Sequence, residues 1–195
     1  LADSSGLDAV DFGDLVAVTG DFRFRYNTIE SLIGFGSLLS VGGNVEIRSN
    51  PTMEDIPGLD DLGTVTGKVI FIDNPDLENV DALVGLTTAT AGVHFYNNGV
   101  LANLDGLGSL KNVDGSVVIM NNPELLQIEG LSKLSAIGGE VHLNTNVKVA
   151  SLAGLDNIQS AGGLYILNMN TIENLDELSS LKTLGVDGLS LLSNS

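Results

Sequence analysis

Gly115-Ser116-Val117-Val118-Ile119-Met120-Asn121-Asn122-Pro123-Glu124-Leu125 decides the fold, because the chain writes this stretch again and again. The run from Gly43 through Pro51 carries Val45, Ile47, Asn50 and Pro51 at the same offsets, and Gly67, Val69, Phe71, Asn74 and Pro75 repeat them. The asparagine is the most constant member. It recurs as Asn27, Asn50, Asn74, Asn98, Asn122, Asn146, Asn170 and Asn194, with one gap of 23 residues and six of 24. A fixed period of this length marks a solenoid of stacked coils.

Two periodicities alternate inside each coil. The V-x-I segment has period two, the mark of a short strand with alternate side chains pointing inward. Eight such strands are predicted: Phe22–Phe24, Val45–Ile47, Val69–Phe71, Val93–Phe95, Val117–Ile119, Val141–Leu143, Tyr165–Leu167 and Leu189–Leu191. Stacked about 4.8 Å apart, they form one parallel sheet. The rest of the coil reads L-x-x-I-x-x-L-x-x-L-x-x-V. Period three suits 3₁₀-like turns or short extended sides, because residues i and i+3 then share a face. One-turn helices are expected at Gly58–Leu62, Leu83–Leu86 and Gly130–Leu134.

Each asparagine has a structural task. Its buried amide both donates and accepts, so it satisfies backbone groups turned away from water where the strand ends. In register, the amides stack into a ladder. Pro51, Pro75 and Pro123 stop the strand by removing an N–H. Gly20, Gly43, Gly67, Gly115, Gly139 and Gly163 are expected to supply positive φ at the opposite corner.

Over about residues 10–194 this repeat resembles the leucine-rich-repeat class, and more closely the receptor L-domain found in the ectodomains of insulin and epidermal growth factor receptors. Fungal cell-wall and bacterial surface proteins carry similar runs. The resemblance implies a right-handed β-solenoid of about eight 24-residue coils, with one parallel sheet and short 3₁₀ or one-turn helical segments on the other sides. It also implies an extracellular recognition role. Animal receptor L-domains are closed by disulfides and this chain has no cysteine, so a hormone-receptor role is not carried over.

Residues 1–195 read as a single solenoid domain, with a partial first coil in 1–20 and an incomplete last coil in 186–195. Phe12, Leu15, Val18 and Gly20 match Leu59, Leu62, Val65 and Gly67, so the chain opens on the second half of a coil. It reads as a piece excised from a longer protein. No apolar run approaches the length needed to span a bilayer. The net charge of −17 argues against nucleic acid and anionic membranes, which call for basic patches. Such an acidic exterior suits a salt-rich or marine setting, where screening weakens self-repulsion. None of the 18 asparagines opens an N-x-S/T sequon, which favours a bacterial secreted or surface-anchored protein over a eukaryotic ectodomain.

Strand alternation sorts the outward residues into two columns. Ile70, His94, Val118, His142 and Ile166 fall in one; Ile72, Tyr96 and Met120 fall in the other. Together they make an apolar stripe where a solvated face is normally polar, and large exposed apolar patches mark interaction sites. Arg23, Arg25 and Arg48 sit on the same face, a positive spot on an acidic molecule. The expected partner is a protein or a surface glycan or polymer. Self-association as a structural spacer or envelope component is the alternative reading, and carbohydrate or ice binding a further one.

Catalytic patterns are missing. There is no cysteine nucleophile, no G-x-S-x-G elbow and no Walker loop, and Gly34-Phe35-Gly36 lacks a βαβ setting. His94 and His142 stand two coils apart, roughly 10 Å by strand spacing, too far to share a zinc ion across Val118. No metal or cofactor is assigned, although Asp73-Asn74-Pro75-Asp76 and Asp60-Asp61 offer oxygen ligands for calcium without EF-hand spacing. Coils of uniform length leave no loop long enough for a cleft or lid. The chain reads as non-enzymatic.

Overall fold

The computed structural model describes residues 12–194. They wind into a parallel β-solenoid of about seven turns, since eight strands in one sheet enclose seven intervals. In chain order the strands are Phe22–Arg25, Val45–Arg48, Lys68–Ile72, Gly92–Tyr96, Ser116–Met120, Ala136–Asn144, Ser160–Leu167 and Thr183–Leu192, hereafter the first to eighth rungs. Each is parallel to its neighbour, and like residues pair: Val45 with Val69, Val69 with Val93, Val93 with Val117.

A second sheet runs along another side, where the sequence reading had none. It contains the two-residue strands Ala17–Val18, Ser40–Val41, Thr64–Val65 and Thr88–Ala89. The physical reason lies in the period-three stretch, whose last members pass through the corner in extended form. In the last three coils that extension joins the large sheet, which is why the sixth to eighth rungs are long. The helical segments are single 3₁₀ turns at Pro57–Leu59, Asp81–Gly85, Asp105–Leu107, Glu129–Leu131 and Asp176–Leu178, beginning slightly earlier than the spacing predicts.

The core is a set of files running along the solenoid axis. Phe24, Ile47, Phe71, Phe95, Ile119, Leu143 and Ile166 form one, each completely buried. Leu38, Leu62, Leu86, Leu110 and Leu134 form another. Phe71 and Phe95 stack with ring centroids 5.2 Å apart and planes 2° from parallel. A narrow coil repeats one side chain per file, so adjacent rungs pack like on like.

Beside these files runs the amide ladder. Asn27, Asn50, Asn74, Asn98, Asn122 and Asn146 have no exposed surface. The Asn74 backbone N–H donates to Asn98 Oδ1 (3.3 Å) and Asn74 Nδ2 donates to Ile47 O (3.0 Å). Asn98 and Asn122 repeat both bonds, the N–H to the next amide and Nδ2 to Phe71 O and Phe95 O. Immediately before the ladder, Tyr26, Ser49, Asp73, Asn97, Asn121, Thr145, Asn168 and Ser193 all take a left-handed φ of 53–57°. That kink ends each strand and swings the next side chain inward.

Three sequence expectations are corrected. Asn170 is not in the ladder: it is exposed, and Met169 occupies the position with its side chain fully buried. Ile166 is not on the outer face: it is fully buried and pairs with Leu143. Both follow from one cause. The coil after Asn146 is one residue shorter than the coil before it, and the next coil restores the register by being one longer; because strand side chains alternate, a one-residue slip exchanges the two faces. Leu164 and Ile166 therefore point in, and Tyr165 and Leu167 point out. The third concerns the glycines before the strands. Among the described glycines only Gly34, Gly92, Gly154 and Gly188 take positive φ, so Gly20, Gly43, Gly67, Gly115, Gly139 and Gly163 do not supply it. Several are needed for closeness instead: a Cβ on Gly115 would stand 1.9 Å from Ala91 O, and one on Gly67 2.5 Å from Gly43 O.

Candidate functional site

The outer face of the large sheet gathers most of the residues singled out from the sequence. One outward column runs Arg23, Glu46, Ile70, His94, Val118, His142, Tyr165 and Ser190 by strand register. The next runs Arg25, Arg48, Ile72, Tyr96, Met120, Asn144, Leu167 and Leu192. Ile70, Ile72, His94, Tyr96, Val118, Met120 and His142 are all half-buried. Neighbours one strand spacing apart cover each other's flanks, so only the tips meet solvent.

The slip that buried Ile166 also extended the stripe. Tyr165 leans on His142, with ring centroids 5.3 Å apart, and its hydroxyl donates to Asp187 O (2.6 Å). Sequence reasoning missed Tyr165 and Leu167. The available signal was chemical: a tyrosine hydroxyl fits poorly in a file of aliphatic side chains without a partner.

A third column precedes these two on the same face: Asp21, Asn44, Lys68, Gly92, Ser116 and Glu140. Its side chains tie rungs together. Asp21 Oδ1 accepts from the Asn44 N–H (2.6 Å), Asn44 Oδ1 from the Lys68 N–H (2.8 Å), and Ser116 Oγ from the Glu140 N–H (3.1 Å).

The three arginines do not form a bare positive spot. They converge on Glu46, which Arg25 contacts directly, with Arg23 Nε at 3.7 Å and Arg48 Nη1 at 4.0 Å. Arg23 also pairs with Asp21. Glu46 is thereby covered to 9% exposure although it points outward. Three cations face two carboxylates here, which leaves a small local surplus of positive charge.

His94 sits between Ile70 and Val118, and burial pushes its imidazole down to about 4, with the Lys68 ammonium adding to the effect. It is neutral at pH 7. The Nε2 atoms of His94 and His142 are both screened from solvent without a hydrogen-bond partner. Val118 separates the two rings, so they do not converge.

Among the described residues, no group of three His, Asp or Glu converges to hold a metal ion. Of the calcium candidates, Asp73 accepts a bond from Asn97 Nδ2 (2.9 Å) at the strand corner. Asp60 and Asp61 lie exposed on a different side. No helix among the described residues is long and apolar enough to cross a membrane. Comparison of the chain with family models, with curated proteins and with solved structures gives no match.

Proposed function

We propose that this chain is a non-enzymatic recognition or adhesion module of a cell surface, and that the outer face of its large sheet docks a protein or a surface polymer. The observation that carries the reading is the stripe of Ile70, Ile72, Tyr96, Val118 and Met120 on the third to fifth rungs, joined through His142 on the sixth to Tyr165 and Leu167 on the seventh, on a molecule with net charge −17. Tyrosine and methionine cover area at modest entropic cost, which suits an interface. The bonded ladder behind the stripe holds it rigid, so little ordering remains to be done on binding.

The repeat is best read as a right-handed, leucine-rich-repeat coil of the receptor L-domain kind, and the lack of sequons favours a bacterial secreted or surface-anchored setting. The test is the double variant Tyr96→Asp, Met120→Asp, assayed for binding to isolated cell envelopes and to an immobilised glycan panel. Binding is expected to fall to background while the far-ultraviolet spectrum stays that of the parent. Binding that survives the double change refutes the sheet face as the site.

A further inference from the structure

We infer that the occupant of the sheet face is a second copy of this chain, packed face to face with its stacking order reversed. This rests on the reading of that face as a docking surface. The argument comes from where the charges stand. The three outward columns hold Arg23, Arg25, Arg48 and Lys68, half of the chain's eight basic residues, against Asp21, Glu46 and Glu140. The face is therefore close to neutral on a molecule of net charge −17, and the self-repulsion that keeps other surfaces of two copies apart is absent from it.

The charges left over on the face are also sorted, since Asp21 and Glu46 are taken up by the three arginines beside them. All four cations lie on the first three rungs. Glu140 lies on the sixth, and Asp187, exposed beside Tyr165, on the eighth. A twofold axis along the strand direction, between the fourth and fifth rungs, lays the first rung over the partner's eighth, the third over its sixth and the fourth over its fifth. Positions along the strand are kept by that operation. Lys68 then meets Glu140 of the other copy, because both occupy the same column. Arg23 and Arg25 meet the end that carries Asp187, and Tyr96 meets Met120. Within one chain, neither Lys68 nor Glu140 has an ion-pair partner among the described residues. A closed twofold interface is self-complementary by construction, and this distribution of charge satisfies that requirement.

The experiment is sedimentation equilibrium of the full chain at high micromolar concentration and moderate salt, comparing the parent with Lys68→Glu, Glu140→Lys and the double reversal. The parent is expected to dimerise. Each single reversal places like charges opposite one another twice per dimer and is expected to weaken association about tenfold or more. The double reversal restores it. At both positions it is the backbone that holds the coil, and neither side chain has a hydrogen-bond or ion-pair partner among the described residues, so the fold tolerates the changes. Carbodiimide cross-linking gives an independent readout: an amide between Lys68 and Glu140 in the dimer band. The two residues are three rungs apart in one chain, roughly 14 Å, so the link has to run between copies. A strictly monomeric parent overturns the proposal, as does a dimer indifferent to both single reversals. If the parent is monomeric while Tyr96→Asp, Met120→Asp still abolishes envelope or glycan binding, the docking face stands and only its self-pairing falls. A dimer that survives that double change also overturns the self-pairing, and envelope or glycan binding that survives it removes the docking face as well.

Discussion

Met169 stands where its neighbours in the ladder are asparagines, and its Sδ accepts the Asn146 backbone N–H at 3.3 Å. A thioether is a weak acceptor. The Nδ2 bond that Asn146 sends to Ile119 O, and Asn194 to Ile166 O, has no counterpart from Met169. Amide hydrogen exchange is therefore expected to be faster at Asn146 than at Asn74 and Asn98, whose N–H groups point at amide oxygens. Met169→Leu keeps the volume and removes the acceptor. It is expected to speed exchange at Asn146 further and to cost about 1 kcal/mol. Equal protection at Asn98 and Asn146 defeats this reading of the ladder.

Removing a complete rung of the ladder is far more damaging. Asn98 Oδ1 accepts from both the N–H and the Nδ2 of Asn74, and its own Nδ2 donates to Phe71 O. Asn98→Ala strands these groups where water does not reach, and buried unpaired groups cost about 1–3 kcal/mol each. A loss of about 3 kcal/mol or more is expected in urea unfolding. Asn97→Gly is the control. That residue is exposed with φ 57°, a conformation glycine adopts freely, so stability is expected to stay within about 1 kcal/mol.

Two glycine substitutions separate closeness from conformational freedom. A Cβ on Gly130 falls 1.8 Å from Leu104 O, which is backbone of the rung beneath and has no room to move. Gly130→Ala is expected to cost more than about 3 kcal/mol or to prevent folding, since rungs must separate to admit the methyl group. Gly36→Ala meets nothing within 4 Å. It is expected to be neutral, or to stabilise by about 0.4–1 kcal/mol through the unfolded chain. Thermal unfolding of the two variants beside the parent distinguishes these outcomes.

The repeat was legible because burial acts on every coil alike: Val45, Val69 and Val117, or Leu62, Leu86 and Leu110, occupy equivalent places, and the period reports them. The register of the seventh rung was not legible in the same way. Leu164-Tyr165-Ile166-Leu167 is apolar at both parities, so alternation does not say which pair points in. Asn170 continued the even spacing and favoured the wrong choice. The structure resolves it through chemistry that spacing ignores. Tyr165 keeps its hydroxyl on Asp187, and Asn168 takes the left-handed corner with φ 53°, a conformation asparagine tolerates. The second sheet was missed for a related reason, since two-residue strands leave no alternation to read. The sorting of charge along the face appears only once the columns are in register.

The pH dependence of stability follows from His94. Its imidazole is held down to about 4, first by burial and then by Lys68, against about 6.5 when exposed. The folded chain thus keeps this ring neutral, while the unfolded chain binds a proton below about 6.5. Stability attributable to His94 is unchanged above that pH, falls as pH drops through the window, and levels off below about 4. Protonation of carboxylates relieves the −17 charge over the lower part of the same range and acts in the opposite direction, so the parent curve alone is ambiguous. His94→Gln isolates the effect: between pH 6.5 and 4 the parent is expected to lose stability relative to this variant in urea titrations. Lys68→Met is expected to raise the His94 titration midpoint, followed by NMR of the ring proton, only part of the way toward 6.5, because burial is the larger cause. A full return to 6.5 on removing Lys68 would mean that the ring is far more hydrated than its place between Ile70 and Val118 implies.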